Sequence, residues 1–105
     1  MIAKTPEAPY YAVIFSAVQS DDLDGYEEMA NKMVELAQQQ EGFLGVESAQ
    51  EGFEITVSYW KDEESIRKWY SNAEHRFAQE EGKRRWYESY AIRVAKVERS
   101  YSGGK

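Results

Sequence analysis

His75 is the only imidazole among the 105 residues, so it is the only side chain of a type that titrates near neutrality. Ser71 and Glu74 have the spacing of a capping box, which predicts that a helix begins there and places His75 in its first turn. The positive end of the helix dipole would help to keep the ring neutral, and a neutral imidazole can accept a phenolic proton or orient a substrate oxygen. The structural alternative is a hydrophobic staple between Tyr70 and His75. We name His75 as the candidate catalytic residue.

Aromatic side chains could line a flat pocket for an aromatic substrate. An apolar pocket suits oxygen chemistry in which a substrate anion itself reduces O2 and must be shielded from water. Trp69 is the best placed of these rings, because it lies beside the predicted helix start that precedes His75. The alternative is that the rings are only core or dimer contacts. The candidate substrate-binding residues are Trp69, Tyr59, Trp86, Phe15, Gln79 and Arg93.

Arg93 lies between two apolar residues of a predicted strand and could neutralise a developing oxyanion. The alternative is a cross-strand ion pair with Glu47 or Glu54 at a sheet edge. Gln79 and Trp86 fall near the helical face of His75 if the helix extends that far.

Several function classes are disfavoured by composition. The sequence has no Cys, no second His and no glycine-rich phosphate loop, which predicts a protein without metal, haem, flavin or nicotinamide. A net charge of −6 argues against nucleic acid as a partner. No apolar run exceeds residues 10–15, which predicts no membrane span and no signal peptide, and we expect a cytoplasmic protein.

Hydrophobic periodicity predicts the elements that must position these residues. Residues 10–18 form a strand that is apolar on both faces, and residues 20–22 offer N-cap oxygens to an amphipathic helix that ends near Gly42. Glu51-Gly52 is the turn of a hairpin between strands 43–50 and 53–60.

The second half of the chain is predicted to hold a helix capped by Asp62, its restart at 71–74 up to about Arg84, and a last strand over 89–101. The apolar side of that strand switches near residues 94–95, which predicts a β-bulge. Residues 1–9 form a loose arm, residues 10–101 a single domain and residues 102–105 a flexible tail.

The predicted order β-α-β-β-α-β is the ferredoxin-like split βαβ arrangement, an α+β fold with a four-stranded antiparallel sheet and its helices on one face. Two helices cover only one face of such a sheet, whereas the strands carry apolar residues on both faces. The economical cover for the second face is another copy of the chain, so we expect a homodimer that associates through the sheet face.

Three segments resemble the antibiotic biosynthesis monooxygenase family: EGFLGVES at 41–48, ITVSYWKDEESIRKWYSNAEHRFAQ at 55–79 and GKRRWYESYAIRVAKVERSY at 82–101. The resemblance covers residues 9–101 and implies a dimeric α+β barrel. It does not specify a reaction, because similar proteins include oxygenases of polycyclic phenols, quinol oxidases and haem-degrading enzymes. Haem-degrading relatives use an Asn on the first strand with a helical Trp and His. Residues 10–18 contain no Asn. His75 follows Trp69 by six positions, and the position at which those relatives carry their His is occupied here by Gln79.

Two functions follow from these observations. The first is a cofactor-independent monooxygenase that acts on a small aromatic substrate of the phenol, anthrone or quinol type. The second is a non-catalytic dimeric module that binds a small molecule or serves in a stress response. An open cavity next to His75 would favour the first function, and a filled cavity would favour the second.

Overall fold

The computed structural model describes residues 2–79 and 85–105, without the side chains of residues 74–79. The described part of the chain folds into β1 (Tyr10–Gln19), α1 (Tyr26–Gln38), β2 (Phe43–Gln50), β3 (Phe53–Trp60), α2 (Glu63–Gln79) and β4 (Tyr87–Val97). The strands form one antiparallel sheet in the order β2-β3-β1-β4. The predicted α+β, ferredoxin-like fold is confirmed.

Strand alternation divides the sheet into two faces. Both helices pack on the face that carries Val13 and Trp60, because Ala37 of α1 and Ile66 of α2 join these two residues in one buried cluster. We call this the inner face and the opposite one the outer face. Trp60 is fully buried, with its ring centroid 5.4 Å from that of Phe43.

The β2–β3 hairpin has the bounds that the sequence predicts. Its turn is Glu51-Gly52, where Gly52 has a φ of 74°, in the left-handed region that glycine adopts without a steric penalty. Gln50 and Glu54 face each other across the turn.

The start of α1 differs from the prediction. The helix begins at Tyr26, after Gly25 with a φ of 80°, and no side chain caps it. The Ser20 hydroxyl instead donates to the backbone carbonyl of Arg85, and Asp22 accepts the backbone N–H of Asp24 at 3.1 Å. These oxygens therefore bind the turn that precedes the helix, and the N-cap lies three to five residues further along the chain than predicted.

The predicted break in the second helix is wrong, because α2 is continuous from Glu63 to Gln79. The capping-box residues 71–74 lie inside the helix, where Ile66 and Ala73 continue one buried stripe on both sides of the expected break. The predicted N-cap at Asp62 is confirmed, since its carboxylate accepts the backbone N–H of Ser65 at 2.8 Å. The side-chain hydrogen bond of Ser65, followed by this backbone one, lowers the pKa of Asp62. The predicted helix end near Arg84 lies outside the described residues.

The last strand also has different bounds. β4 runs from Tyr87 to Val97 rather than over residues 89–101. Its pairing with β1 is regular at Val94, and the one register shift lies between Val18 and Gln19. The predicted bulge is therefore at the wrong place: the change of apolar side reflects an edge strand with solvent on both sides, not an inserted residue.

The N-terminal arm has no secondary structure, as expected, but it is not loose. The backbone N–H of Ala3 donates to the Glu47 carboxylate at 2.8 Å, and the Thr5 hydroxyl donates to the Tyr10 hydroxyl at 2.9 Å. A Cβ added at Gly45 would lie 2.9 Å from that of Ala3, so the glycine gives the arm its close approach to the sheet. The arm thus covers part of the outer face. No helix in the described part of the chain is long and apolar enough to cross a membrane.

Candidate functional site

A cavity of about 400 Å³ lies between the helices and the inner face of the sheet. This volume is within the range of small-molecule sites, about 300–1,000 Å³. Its roof includes Met29, Met33 and Val34 of α1 and Tyr70 of α2. Tyr90 of β4 lines it and is 40% exposed, so the cavity meets solvent along β4.

The floor of the cavity is built from successive cross-strand pairs of β1 and β3. Phe15 pairs with Thr56, and Val13 pairs with Ser58. The residues of β3 that line the cavity run from Glu54 to Ser58, an advance of four residues, or roughly 13 Å at about 3.3 Å per residue. The floor is therefore long enough for a flat, multi-ring molecule.

Trp69 forms the wall at the Trp60 end of the cavity. The two indole rings lie 5.2 Å apart at an angle of 35°. The Trp69 Nε1–H is buried and finds no acceptor among the residues that the structure describes. A buried N–H without a partner loses the hydrogen bond that water would offer, so a ligand carbonyl at this end would be favoured.

A carboxylate forms the opposite end. Glu54 is 7% exposed and accepts hydrogen bonds from three hydroxyl groups on three elements. Tyr26 of α1 and Tyr87 of β4 donate to Oε1, the latter at 3.2 Å, and Thr56 of β3 donates to Oε2 at 2.9 Å. We call these four residues the inner cluster.

The tyrosines of the inner cluster have perturbed acidity. Burial raises the pKa of Tyr26, and the hydrogen bond to Glu54 and its negative charge act in the same direction. Burial also raises the pKa of Tyr87, followed by the charge of Glu54. Both hydroxyls therefore remain protonated donors at neutral pH.

The structure brings three of the predicted site residues to this cavity: Phe15 in the floor, Trp69 in the wall and Trp86 beside α1. The Trp86 ring packs edge-on against Tyr26 at 5.9 Å, and its Nε1–H donates to the carbonyl of Asp24 at 2.8 Å. Trp86 directly precedes β4, and residues 80–84, over which α2 would have to extend to reach it, lie outside the described residues.

Tyr59 and Arg93 do not line the cavity. Strand alternation puts both on the outer face, since Tyr59 pairs with Ala12 and Arg93 with Ile14. The carboxylates considered as partners of Arg93 have other donors: Glu47 accepts the Tyr59 hydroxyl at 2.7 Å, and Glu54 belongs to the inner cluster.

His75 and Gln79 lie on α2, six and ten residues after Trp69, but their side chains lie outside the described residues.

The inner cluster was missed by the sequence analysis, although one signal for it exists. Glu54 shares its side of β3 with Thr56, Ser58 and Trp60, and the tryptophan, rather than the polar alternation, is the signal that this side is buried. A charged residue on the same face as a buried Trp indicates a carboxylate inside the protein. Tyr26 and Tyr87, in contrast, are too far apart in the chain for spacing to connect them. Among the described side chains, no three His, Cys, Asp or Glu residues come together in a way that could hold a metal ion.

The sequence of the chain is similar to those of known proteins. A profile of the family described as antibiotic biosynthesis monooxygenase matches residues 9–81. The uncharacterized protein YqjZ of Bacillus subtilis is 57% identical over 100 residues, which cover 93% of this chain and 88% of YqjZ.

Solved structures are similar in fold at much lower identity. A variant of SnoaB, a cofactor-independent oxygenase from Streptomyces nogalater, matches with a TM-score of 0.72 and 9% identity over 89% of this chain and 97% of its own. A protein of unknown function from Nitrosomonas europaea matches with a TM-score of 0.70 and 10% identity over 95% of this chain and 100% of its own.

Proposed function

Because the chain belongs to the antibiotic biosynthesis monooxygenase family, we propose that it is a cofactor-independent monooxygenase of a small aromatic substrate. The observation that carries the proposal is the apolar cavity over the inner face, walled by Trp69 and floored by Phe15. SnoaB, which shares the fold, is named a cofactor-independent oxygenase.

The chemistry needs no electron carrier if the substrate supplies the electrons. In an anthrone-type substrate, a ring CH2 reacts with one O2 to give a ring carbonyl and one water. The carbon gives up four electrons and two hydrogens, one oxygen atom enters the product and the other leaves as water. The protein must then bind the ring, accept or relay the first proton and exclude bulk water.

His75 is the proposed proton acceptor, on the ground that it is the only imidazole of the chain and lies on the helix that carries Trp69. His75→Phe should lower turnover of an aromatic substrate by roughly 100-fold and leave the fold intact. Full turnover by this variant would remove His75 from the mechanism. Gln79 is a proposed substrate contact on the same helix.

Oxygen consumption by the purified protein with anthrones, hydroquinones and phenols tests the activity. Ala30→Phe places a ring inside the cavity and should abolish turnover, because Ala30 lines the roof. Glu35→Phe adds the same ring to the exposed side of the same helix and should not. Turnover that survives Ala30→Phe would overturn the cavity as the site. Tight binding of these compounds without oxygen uptake would favour the non-catalytic binding module.

We also propose that the protein is a homodimer that associates through the outer face of the sheet. Phe53, Ile55 and Val18 lie on this face and are 48%, 42% and 37% exposed. An interface that covers them should bury on the order of 2,000 Å² in total.

Ile55→Asp should produce monomers in sedimentation, whereas Val94→Asp, at an exposed inner-face position of β4, should not. A stable monomer of the natural chain at micromolar concentration would contradict the proposal. The cytoplasmic location stays a prediction.

A further inference from the structure

The inner cluster has features that its role in holding the fold together does not require. Three elements converge on the Glu54 carboxylate, and all three of its donors are neutral hydroxyls. Among the described residues, no Lys or Arg forms an ion pair with it. Burying a charge without an opposite charge is costly, and the uncharged oxygen of a glutamine can accept hydroxyl donors at a lower desolvation cost.

The carboxylate also has acceptor capacity to spare. An ionised carboxylate offers about four acceptor positions, two on each oxygen. Oε1 receives both tyrosine hydroxyls, whereas Oε2 receives only the Thr56 hydroxyl. One position on Oε2 remains. Glu54 and its three donors all line the cavity, so a ligand in the cavity lies next to that position.

The surroundings of Glu54 indicate which ligand this position suits. Phe15 lies beside the cluster in the floor and packs edge-on against Tyr87, with ring centroids 5.2 Å apart. Tyr90 lies 5.8 Å from Phe15 and 6.2 Å from Tyr87, so the three rings form one group. A flat ring that rests on these aromatic side chains would direct its edge substituent towards Glu54. The negative charge there repels an anionic substituent and favours one that donates a hydrogen bond.

We propose that Glu54 is the specificity-determining residue of the cavity, which accepts a hydrogen bond from a neutral aromatic hydroxyl group and excludes aromatic carboxylates. This proposal deepens the proposed function, on which it rests for the nature of the substrate. Tyr26 and Tyr87 are positioning residues, since their hydroxyls hold Oε1 of the carboxylate from two different elements.

Calorimetric binding of three naphthalene probes, measured without turnover, tests the proposal. The probes share one ring system and differ in one substituent: 2-naphthol donates a hydrogen bond, 2-methoxynaphthalene does not, and 2-naphthoate is an anion. The natural protein should prefer the naphthol over the ether by about tenfold or more, as expected of a hydrogen bond to a charged group. It should bind the naphthoate more weakly than both.

Glu54→Gln should remove most of the preference for naphthol and should tighten naphthoate binding, because the repelling charge is gone. Glu47→Gln is the matched control: it makes the same change at a tyrosine-bound glutamate on the outer face, and both preferences should persist. The proposal is overturned if Glu54→Gln keeps both preferences, if Glu47→Gln loses them too, or if the natural protein shows none.

A second variant keeps the test decisive if Glu54→Gln does not fold. Thr56→Val frees a further acceptor position on Oε2, so it should bind naphthol at least as tightly as the natural protein does. Weaker binding would mean that the Thr56 hydroxyl contacts the ligand, and it would overturn the assignment to Glu54. Since only binding is measured, a protein that binds as expected but consumes no oxygen would refute the monooxygenase function and leave the Glu54 site standing.

Discussion

The same sheet carries a tyrosine–glutamate pair on each face, and the two pairs differ in what surrounds them. On the inner face, Glu54 is closed in by hydroxyls from α1, β3 and β4. On the outer face, Glu47 accepts the Tyr59 hydroxyl at 2.7 Å and the Ala3 N–H at 2.8 Å. We call Glu47, Tyr59 and Ala3 the outer cluster.

The comparison shows that similar hydrogen bonds can serve different ends. Glu47 is half-buried, and its partners fix the N-terminal arm to the sheet, which is a structural task. Glu54 is buried at the end of a cavity large enough for a ligand, where its carboxylate faces the cavity rather than bulk solvent. Burial and the neighbouring cavity, rather than residue type, distinguish a glutamate that can bind a ligand from one that only attaches the N-terminal arm to the sheet.

Deleting each carboxylate should give the largest difference between the clusters. Glu54→Ala leaves three hydroxyls without their acceptor in a buried place and should lower the free energy of unfolding by about 3 kcal/mol. Glu47→Ala leaves groups that water can reach and should cost about 1 kcal/mol. Urea denaturation followed by circular dichroism measures both. Equal losses would show that the two sites are equally solvated and would remove the contrast.

The second largest difference between the clusters is expected in the alkaline titration of their tyrosines. Burial, followed by the hydrogen bond to Glu47, raises the pKa of Tyr59 to about 12 from its usual 10.0. Glu47→Gln should lower the pKa of Tyr59 alone, and Glu54→Gln should lower the pKa values of Tyr26 and Tyr87. Burial is the largest cause in each case, so only part of each shift should disappear.

Tyrosinate absorbance measured against pH detects these changes. The raised pKa of Tyr59 also makes the free energy of unfolding depend on pH. The stabilisation from the protonated Tyr59 hydroxyl is fully present below pH 10.0 and is lost as the pH rises through about 12. Identical titration curves for the two variants would contradict the assignment of tyrosines to clusters.

Acid should loosen the outer cluster and release the N-terminal arm. The hydrogen bond from Tyr59, followed by that from Ala3, lowers the pKa of Glu47 below its usual 4.5. A lowered pKa contributes stability that is present above pH 4.5 and is lost as the pH falls through the folded-state value. The protection factor of the Ala3 amide, which allows for the slower intrinsic exchange in acid, should therefore fall as the pH falls through that value. A protection factor that stays constant in acid would contradict this role of Glu47.

The smallest effect is expected from Gly45→Ala. The new Cβ would lie 2.9 Å from the Cβ of Ala3, so the arm must shift. The free energy of unfolding should change by less than about 0.5 kcal/mol, because the arm is terminal and alanine is better than glycine in a strand. Hydrogen exchange at Ala3 should speed up, and naphthol binding should stay constant. A change in binding would show that the outer face communicates with the cavity.

The sequence predicts the sheet better than it predicts the helix ends. Strand alternation and the Glu51-Gly52 turn suffice to define β2 and β3, because both signals are local. The capping signals at Ser20 and Ser71 are local too, but tertiary contacts override them: Ser20 bonds to Arg85, 65 residues away, and a continuous buried stripe keeps α2 intact through Ser71.

The cavity was only partly predictable for the same reason. Aromatic content and the inward stripe of α2 point to Trp69, and strand alternation in β1 puts Phe15 on the face of the sheet that the helices cover. The inner cluster depends on contacts between residues 28 and 33 positions apart, which no periodic pattern encodes. Tyr59 was predicted to line the pocket because it is aromatic, but strand alternation in β3 puts its side chain on the outer face.

All three tryptophans of the chain lie at or beside the cavity, since Trp69 and Trp86 line it and Trp60 stacks on Trp69 at 5.2 Å. The intrinsic fluorescence of the protein therefore originates almost entirely around this one space. A bound quinone or other coloured aromatic molecule would receive the excitation energy of the indoles and quench their emission. Libraries of unlabelled compounds can therefore be screened for binding to this cavity by tryptophan emission alone.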